Sequence, residues 1–135
     1  MQNSSQARGL LVLLVVTGVA SILHYVDNVI FFDAYPEPAW LTPQVVEVFW
    51  FVMTPFGVIG YWLFRRGSRW RGLSVLLAYG LMNLLTLGHY SYAPLSEISF
   101  RINLFILLEA GAAGALIVAV VWFALRTPRP EALEG

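Results

Sequence analysis

The sequence predicts an all-α integral membrane protein, a four-helix bundle with both termini cytoplasmic. Three observations predict it. Charged residues make up only 12% of the chain, against about 25% in a soluble domain. The 59% of hydrophobic residues fall into four long blocks, at 9–32, 43–64, 72–88 and 102–125, and each block fits the roughly 17–25 residues that a helical crossing takes. Every basic residue is an arginine, and nearly all of them lie on one side of a four-span arrangement.

The first span follows a polar stretch at 1–7 and Arg8. Gly18-Val19-Ala20 resembles a signal-peptidase site, but the apolar run continues well past it, longer than the roughly 7–15 residues of a signal h-region. The run therefore reads as a span. Asp33-Ala34-Tyr35-Pro36-Glu37-Pro38 breaks it, because the two prolines fix φ and exclude helix. Tyr35 and Trp40 suit a membrane–water interface. Thr42-Pro43 reads as an N-cap with proline at the first helical position, opening the second span.

Arg65, Arg66, Arg69 and Arg71 form a basic loop before the third span, which ends at His89-Tyr90-Ser91-Tyr92-Ala93-Pro94. The fourth span starts after Arg101 and stops at Arg126-Thr127-Pro128, leaving 126–135 as a cytoplasmic tail. Arg8, the basic loop, Arg126 and Arg129 share one side, and only Arg101 falls on the other. The positive-inside rule places the first group in the cytoplasm. For a bacterial chain, the expected membrane is the plasma (inner) membrane.

Composition also excludes functions. Without cysteine there is no disulfide framework, thiolate metal site or cysteine nucleophile. Zero formal net charge gives no reason to expect a nucleic-acid partner.

The functional signal is polar residues inside apolar spans, where ionisable groups are costly and usually face a cavity or a partner. His24, Asp27 and Asn28 are spaced i, i+3 and i+4, which sets them on one helical face. The second span adds Glu47 and Thr54, the third Asn83, Thr86 and His89, and the fourth Asn103 and Glu109. All fall toward the non-cytoplasmic half. At ~1.5 Å per residue, Glu109 lies roughly 12 Å from Arg101 along its helix, and His24 is similarly far from Asp33, so the two share a level. Glu47 lies about 6 Å in from Pro43.

The expectation is a cavity shared by His24, Asp27 and Glu109, with Glu47 and Asn83 on its rim. Asn28, Trp50, Thr54, Thr86 and His89 are further candidates for ligand contact. Structural roles compete with this reading. Glu47 suits the helix dipole of a first turn, Asn83 and Thr86 suit interhelical hydrogen bonding, and a Glu109–His24 or Glu109–Asn83 bond could hold the bundle together. The aromatic group Phe49-Trp50-Phe51 suits lipid, core or an apolar ligand pocket. The small-residue stripe 110–115 suits close helix packing, as do Gly57 and Gly60. The Gly111, Gly114 and Ala115 face is a possible homodimer surface.

Asp27, Tyr35-Pro36, Pro38-Ala39-Trp40, Glu47, Pro55-Phe56, Gly67 with Trp70-Arg71, and Tyr79 follow an order that resembles the emopamil-binding-protein and sigma-2-receptor-like (EXPERA) family of four-helix membrane proteins. The resemblance covers about residues 24–86 and leaves out the fourth span. It implies an intramembrane cavity for a sterol-like or other polycyclic lipid, with Asp27 and Glu47 as the acidic pair. In the isomerase branch, one group protonates a ring double bond and another removes a proton elsewhere. Here Glu109 or Glu47 is the candidate acid and His24 or Asp27 the candidate base. No cofactor is required on this reading. A haem or metal site using His24 and His89 and a non-catalytic structural subunit are the alternatives. The arginine asymmetry yields a test: reporter fusions at Gly67 and Ala93 should show opposite membrane orientations, and matching orientations would overturn the four-span topology.

Overall fold

The computed structural model of the chain describes residues 4–126. Four α-helices run in order, α1 Ser4–Ile30, α2 Pro43–Arg65, α3 Arg69–Leu84 and α4 Phe100–Leu125, with 3-10 turns at Phe32–Ala34 and Leu85–Ser91. There is no strand among the described residues. α1, α2, α4 and the continuous stretch Arg69–Ser91 are each long and apolar enough to cross a membrane. The tail beyond Arg126, with Arg129 and the prolines expected to stop the fourth span, lies outside the described residues.

The helix ends follow from local chemistry. The Thr42 hydroxyl accepts from the Val45 N–H at 3.3 Å, with Pro43 in the first turn, which satisfies a backbone donor that a helix start leaves over. Ser99 caps α4 through the Ile102 N–H. Gly67 closes α2 with φ at +91°, a conformation that costs glycine nothing. Pro55 sits inside α2. Beside it, the Thr54 hydroxyl donates to the Trp50 carbonyl at 2.7 Å, the way Ser and Thr support backbone near a proline in membrane helices.

On α1 burial departs from that of a water-soluble bundle. α1 buries Thr17, Ser21, His24, Asp27 and Asn28, while Val12, Val15, Val16, Val19, Ile22, Leu23 and Val26 are exposed. The stripe at 17, 21, 24 and 28 follows helical periodicity. Arginines at the helix ends lie over aromatic rings: Arg66 over Trp62, Arg126 over Trp122, and Arg101 over Phe31.

Two apolar clusters frame the buried polar residues. Leu10, Phe64, Leu73, Leu76, Tyr79 and Leu116 pack at the arginine-rich end. Tyr35, Ile98, Ile102 and Ile106 pack at the opposite end, formed by the proline turn and the 92–99 loop. Close approach of α2 and α3 depends on glycine. A Cβ on Gly72 would lie 2.5 Å from the Phe64 nitrogen and 2.8 Å from the Gly60 carbonyl, and one on Gly60 would lie 2.9 Å from the Leu76 side chain.

The 110–115 stripe on α4 packs through Ala110 and Ala113 and not through its glycines. A Cβ on Gly111 or Gly114 meets nothing within 4 Å, and the buried small residues are Ala110 and Ala113 on the adjacent face. The helix is rotated so that Glu109, Ala113 and Leu116 point inward. Gly72→Ala should therefore destabilise the protein by about 1–3 kcal/mol, the usual cost of overpacking, while Gly111→Ala should lose nothing. Thermal unfolding in detergent reads both, and equal midpoints for the two variants would contradict this packing.

Candidate functional site

The site is centred on Glu109, which is fully buried. Its carboxylate oxygen Oε2 is in short hydrogen-bond contact with His24 Nδ1. The Thr86 hydroxyl lies 3.1 Å from the same nitrogen. α1, α4 and the Leu85–Ser91 turn thus meet at one imidazole. The turn matters because side chains at i and i+3 eclipse in a 3-10 helix. It brings Thr86 and His89 onto one buried face.

A second histidine–carboxylate pair lies alongside. His89 Nδ1 is 3.4 Å from Glu37 Oε1 and 3.2 Å from the Pro36 carbonyl. The Asn28 amide donates to the same Glu37 oxygen at 2.7 Å. Burial pushes the Glu37 carboxyl up from the usual range, while the Asn28 hydrogen bond and the neighbouring His24 pull it partly back. The His24 and His89 rings meet edge to face, with centroids 5.3 Å apart.

A cavity of about 390 Å³ opens beside these groups between α1, α2 and the Leu85–Ser91 turn, within the volume range of small-molecule sites. His24, Asn28, Glu37, Thr86 and His89 supply its polar side, and Trp40, Leu41, Val45, Val46, Phe49 and Leu85 its apolar side.

Proton bookkeeping at the deep pair exposes a deficit. Whether the pair is carboxylic acid with imidazole or carboxylate with imidazolium, it is neutral overall and Nε2 carries a hydrogen. Those two arrangements cost least in a buried site. Yet Nε2 is buried and has no hydrogen-bond partner, a penalty of roughly 1–3 kcal/mol. If the pair gives up one proton, Nε2 becomes a bare lone pair and a base.

Asp27 is not part of the cavity lining. Its carboxylate accepts from the Tyr35 hydroxyl at 2.8 Å and pairs with Arg101 at 3.2 Å. Burial, followed by the hydrogen bond to Asp27, raises the Tyr35 phenol above its ordinary range, so it stays a donor. This latch ties α1 to the start of α4. Asn83 turns back on its own helix, donating to the Tyr79 carbonyl at 2.9 Å, so it does not supply the alternative partner for Glu109. Asn103 is spent on the 92–99 loop, donating to the Leu95 and Ile98 carbonyls.

Glu47 and Trp50 stand apart. They line a different recess, between the outer faces of α1 and α2, and Glu47 is exposed. The rotation of α2 that buries Val46, Met53 and Gly57 turns Glu47 away from the cavity, so it neither rims the cavity nor sits with Asp27. Thr54 serves its own backbone. Glu37 enters the site unannounced by sequence, because the doubly proline-broken turn folds back over the cavity mouth. Its only signal was a carboxylate between two prolines. No family model, curated protein or solved structure matches the chain, so the geometry alone defines the site.

The latch sets a graded expectation. Arg101 is 44% exposed, so Arg101→Ala should cost under about 1 kcal/mol. Asp27→Leu also strips the buried Tyr35 hydroxyl of its acceptor and should cost about 1–3 kcal/mol. Equal thermal midpoints for the two variants in detergent would contradict the assignment.

Proposed function

We propose that the chain spans a membrane as a four-helix bundle and binds a hydrophobic small molecule, of the size of a sterol or other polycyclic lipid, in the cavity beside His24. The exposed valines, leucines and phenylalanines along the helices support the membrane setting, since they suit hydrocarbon and not water. The observation that carries the ligand reading is His24 Nε2. It is a buried nitrogen without a hydrogen-bond partner, on a ring fixed by Glu109, beside a largely apolar cavity. A ligand bringing one hydroxyl or carbonyl oxygen to that nitrogen would remove the penalty.

The same cavity supports proton transfer on the ligand. The two histidine–carboxylate pairs offer an acid and a base with different surroundings, as such chemistry requires. In an isomerisation, the Glu37–His89 pair gives a proton to an alkene carbon. His24 takes a proton from a neighbouring carbon in the form where its pair with Glu109 has released one proton and Nε2 is a bare lone pair, and the double bond moves with no net change in the ligand's protons. This assignment replaces Glu47 and Asp27, which the EXPERA resemblance implied as the acidic pair, with residues that border the cavity or stand directly behind it. The haem alternative fits less well, because edge-to-face imidazoles in contact leave no room for a macrocycle between them. The described residues also contain no group of three or more His, Cys, Asp or Glu side chains suited to a metal ion.

Mass spectrometry of lipids retained by the purified protein tests the binding claim. A polycyclic or sterol-like molecule bearing a single oxygen should be retained, and Val45→Trp, which fills the cavity from its apolar side and leaves the His24–Glu109 pair intact, should release it while the fold persists. Retention unchanged in Val45→Trp would overturn the site. With the ligand in hand, deuterium uptake from heavy water tests the chemistry. Glu109→Gln should keep binding and lower exchange by about 100-fold or more, the typical contribution of a positioned base. Undiminished exchange would remove Glu109 from the reaction.

A further inference from the structure

The recess that holds Glu47 and Trp50 lies on the far side of Tyr25 from the His24 cavity, and Tyr25 borders both. Its volume is about 390 Å³, and its walls are Ile22, Val26 and Ile30 from α1 and Trp50 and Phe51 from α2, with Glu47 at one end. Two polar groups in it lack partners. Glu47 is in none of the ion pairs among the described residues. The Trp50 indole N–H is buried without an acceptor.

Their order along the bundle is informative. Glu47 is a turn in from the start of α2 at Pro43, and Trp50 lies three residues, or about 4.5 Å, deeper. On α1, which runs antiparallel, Ile30 stands near the Glu47 end, and Ile22 lies about 12 Å further in. From the proline-turn end inward, the recess therefore presents a carboxylate, then an N–H donor, then hydrocarbon. An amphiphile lying along the bundle presents the complement: a cation, then a neck of oxygen acceptors, then an apolar chain.

We propose that this recess binds an aminophospholipid of the phosphatidylethanolamine class. Its primary ammonium pairs with Glu47, an oxygen of its neck accepts from the Trp50 indole, and one acyl chain lies along Val26 and Ile22. A primary ammonium donates hydrogen bonds to a carboxylate. A quaternary choline has no N–H to donate, and an anionic headgroup is repelled by Glu47. The recess should thus discriminate among headgroups that share the same chains.

The test uses the full chain in vesicles of equal parts phosphatidylethanolamine, phosphatidylcholine and phosphatidylglycerol with matched acyl chains, followed by mass spectrometry of the lipid retained on extraction. Phosphatidylethanolamine should be enriched about tenfold over the other two, a difference small enough for one charge-assisted contact to supply. Glu47→Gln should abolish the enrichment, and Trp50→Phe should weaken it, both with unchanged circular dichroism and thermal midpoint. Glu47→Gln should leave the cavity ligand near His24 in place, so the two sites fail separately. Equal retention of the three lipids, preference for phosphatidylglycerol, or enrichment that survives Glu47→Gln would each overturn the proposal.

Discussion

A carboxyl group with no exposure to solvent, Glu109 on α4, is the constraint that the rest of the bundle serves. Left alone in an apolar interior it would carry a large desolvation cost. Its partner His24 can reach it only if α1 and α4 cross at matching depth with their polar faces turned inward. Removing one member of such a buried pair typically costs about 3–5 kcal/mol, a large share of a domain's net stability. The pair therefore fixes the rotation of both helices. The Leu85–Ser91 turn completes the arrangement by bringing Thr86 to the same imidazole nitrogen. The proline turn then closes over it, with Glu37 held by Asn28.

Much of this was legible in the sequence, and particular residues show where legibility stopped. The four apolar blocks reappear as four long helices because length and hydropathy are one-dimensional properties. His24 and Glu109 could be matched by counting residues from the helix ends, since the rise per residue is fixed. Rotation about a helix axis is harder to read in a chain that is apolar all round. Glu47 was expected on the cavity rim and the 110–115 stripe in close packing; Glu47 and Gly111 turn outward because Val46 and Ala113 take the interior. Glu37 was invisible for another reason. It lies in a turn, and where a turn folds depends on tertiary packing and not on periodicity. The role of Arg101 was hidden similarly. It stood out as the lone arginine on its side, but its partner Asp27 is 74 residues away in sequence and meets it only once the helices pack.

The bundle separates two environments with one side chain. Tyr25 borders the histidine-lined cavity on one side and the Glu47 recess on the other, with its hydroxyl 3.8 Å from the Met53 sulfur. α1 and α2 are the most loosely packed pair of adjacent helices, and the space between them is where both recesses form. Tight glycine-mediated packing of α2 on α3 supplies the rigid wall that keeps this looser seam open. Close packing and open space are thus divided between opposite faces of α2.

Solid-state NMR on the protein in bilayers tests the central claim most directly, through dipolar coupling between the Glu109 carboxyl carbon and the His24 Nδ1 nitrogen. The two histidines can be told apart by a His89→Gln variant. A strong coupling, with the His24 Nε2 signal moving when the cavity ligand is added, is the result the account predicts. Absence of coupling between Glu109 and His24, or an Nε2 signal indifferent to the ligand, would contradict it.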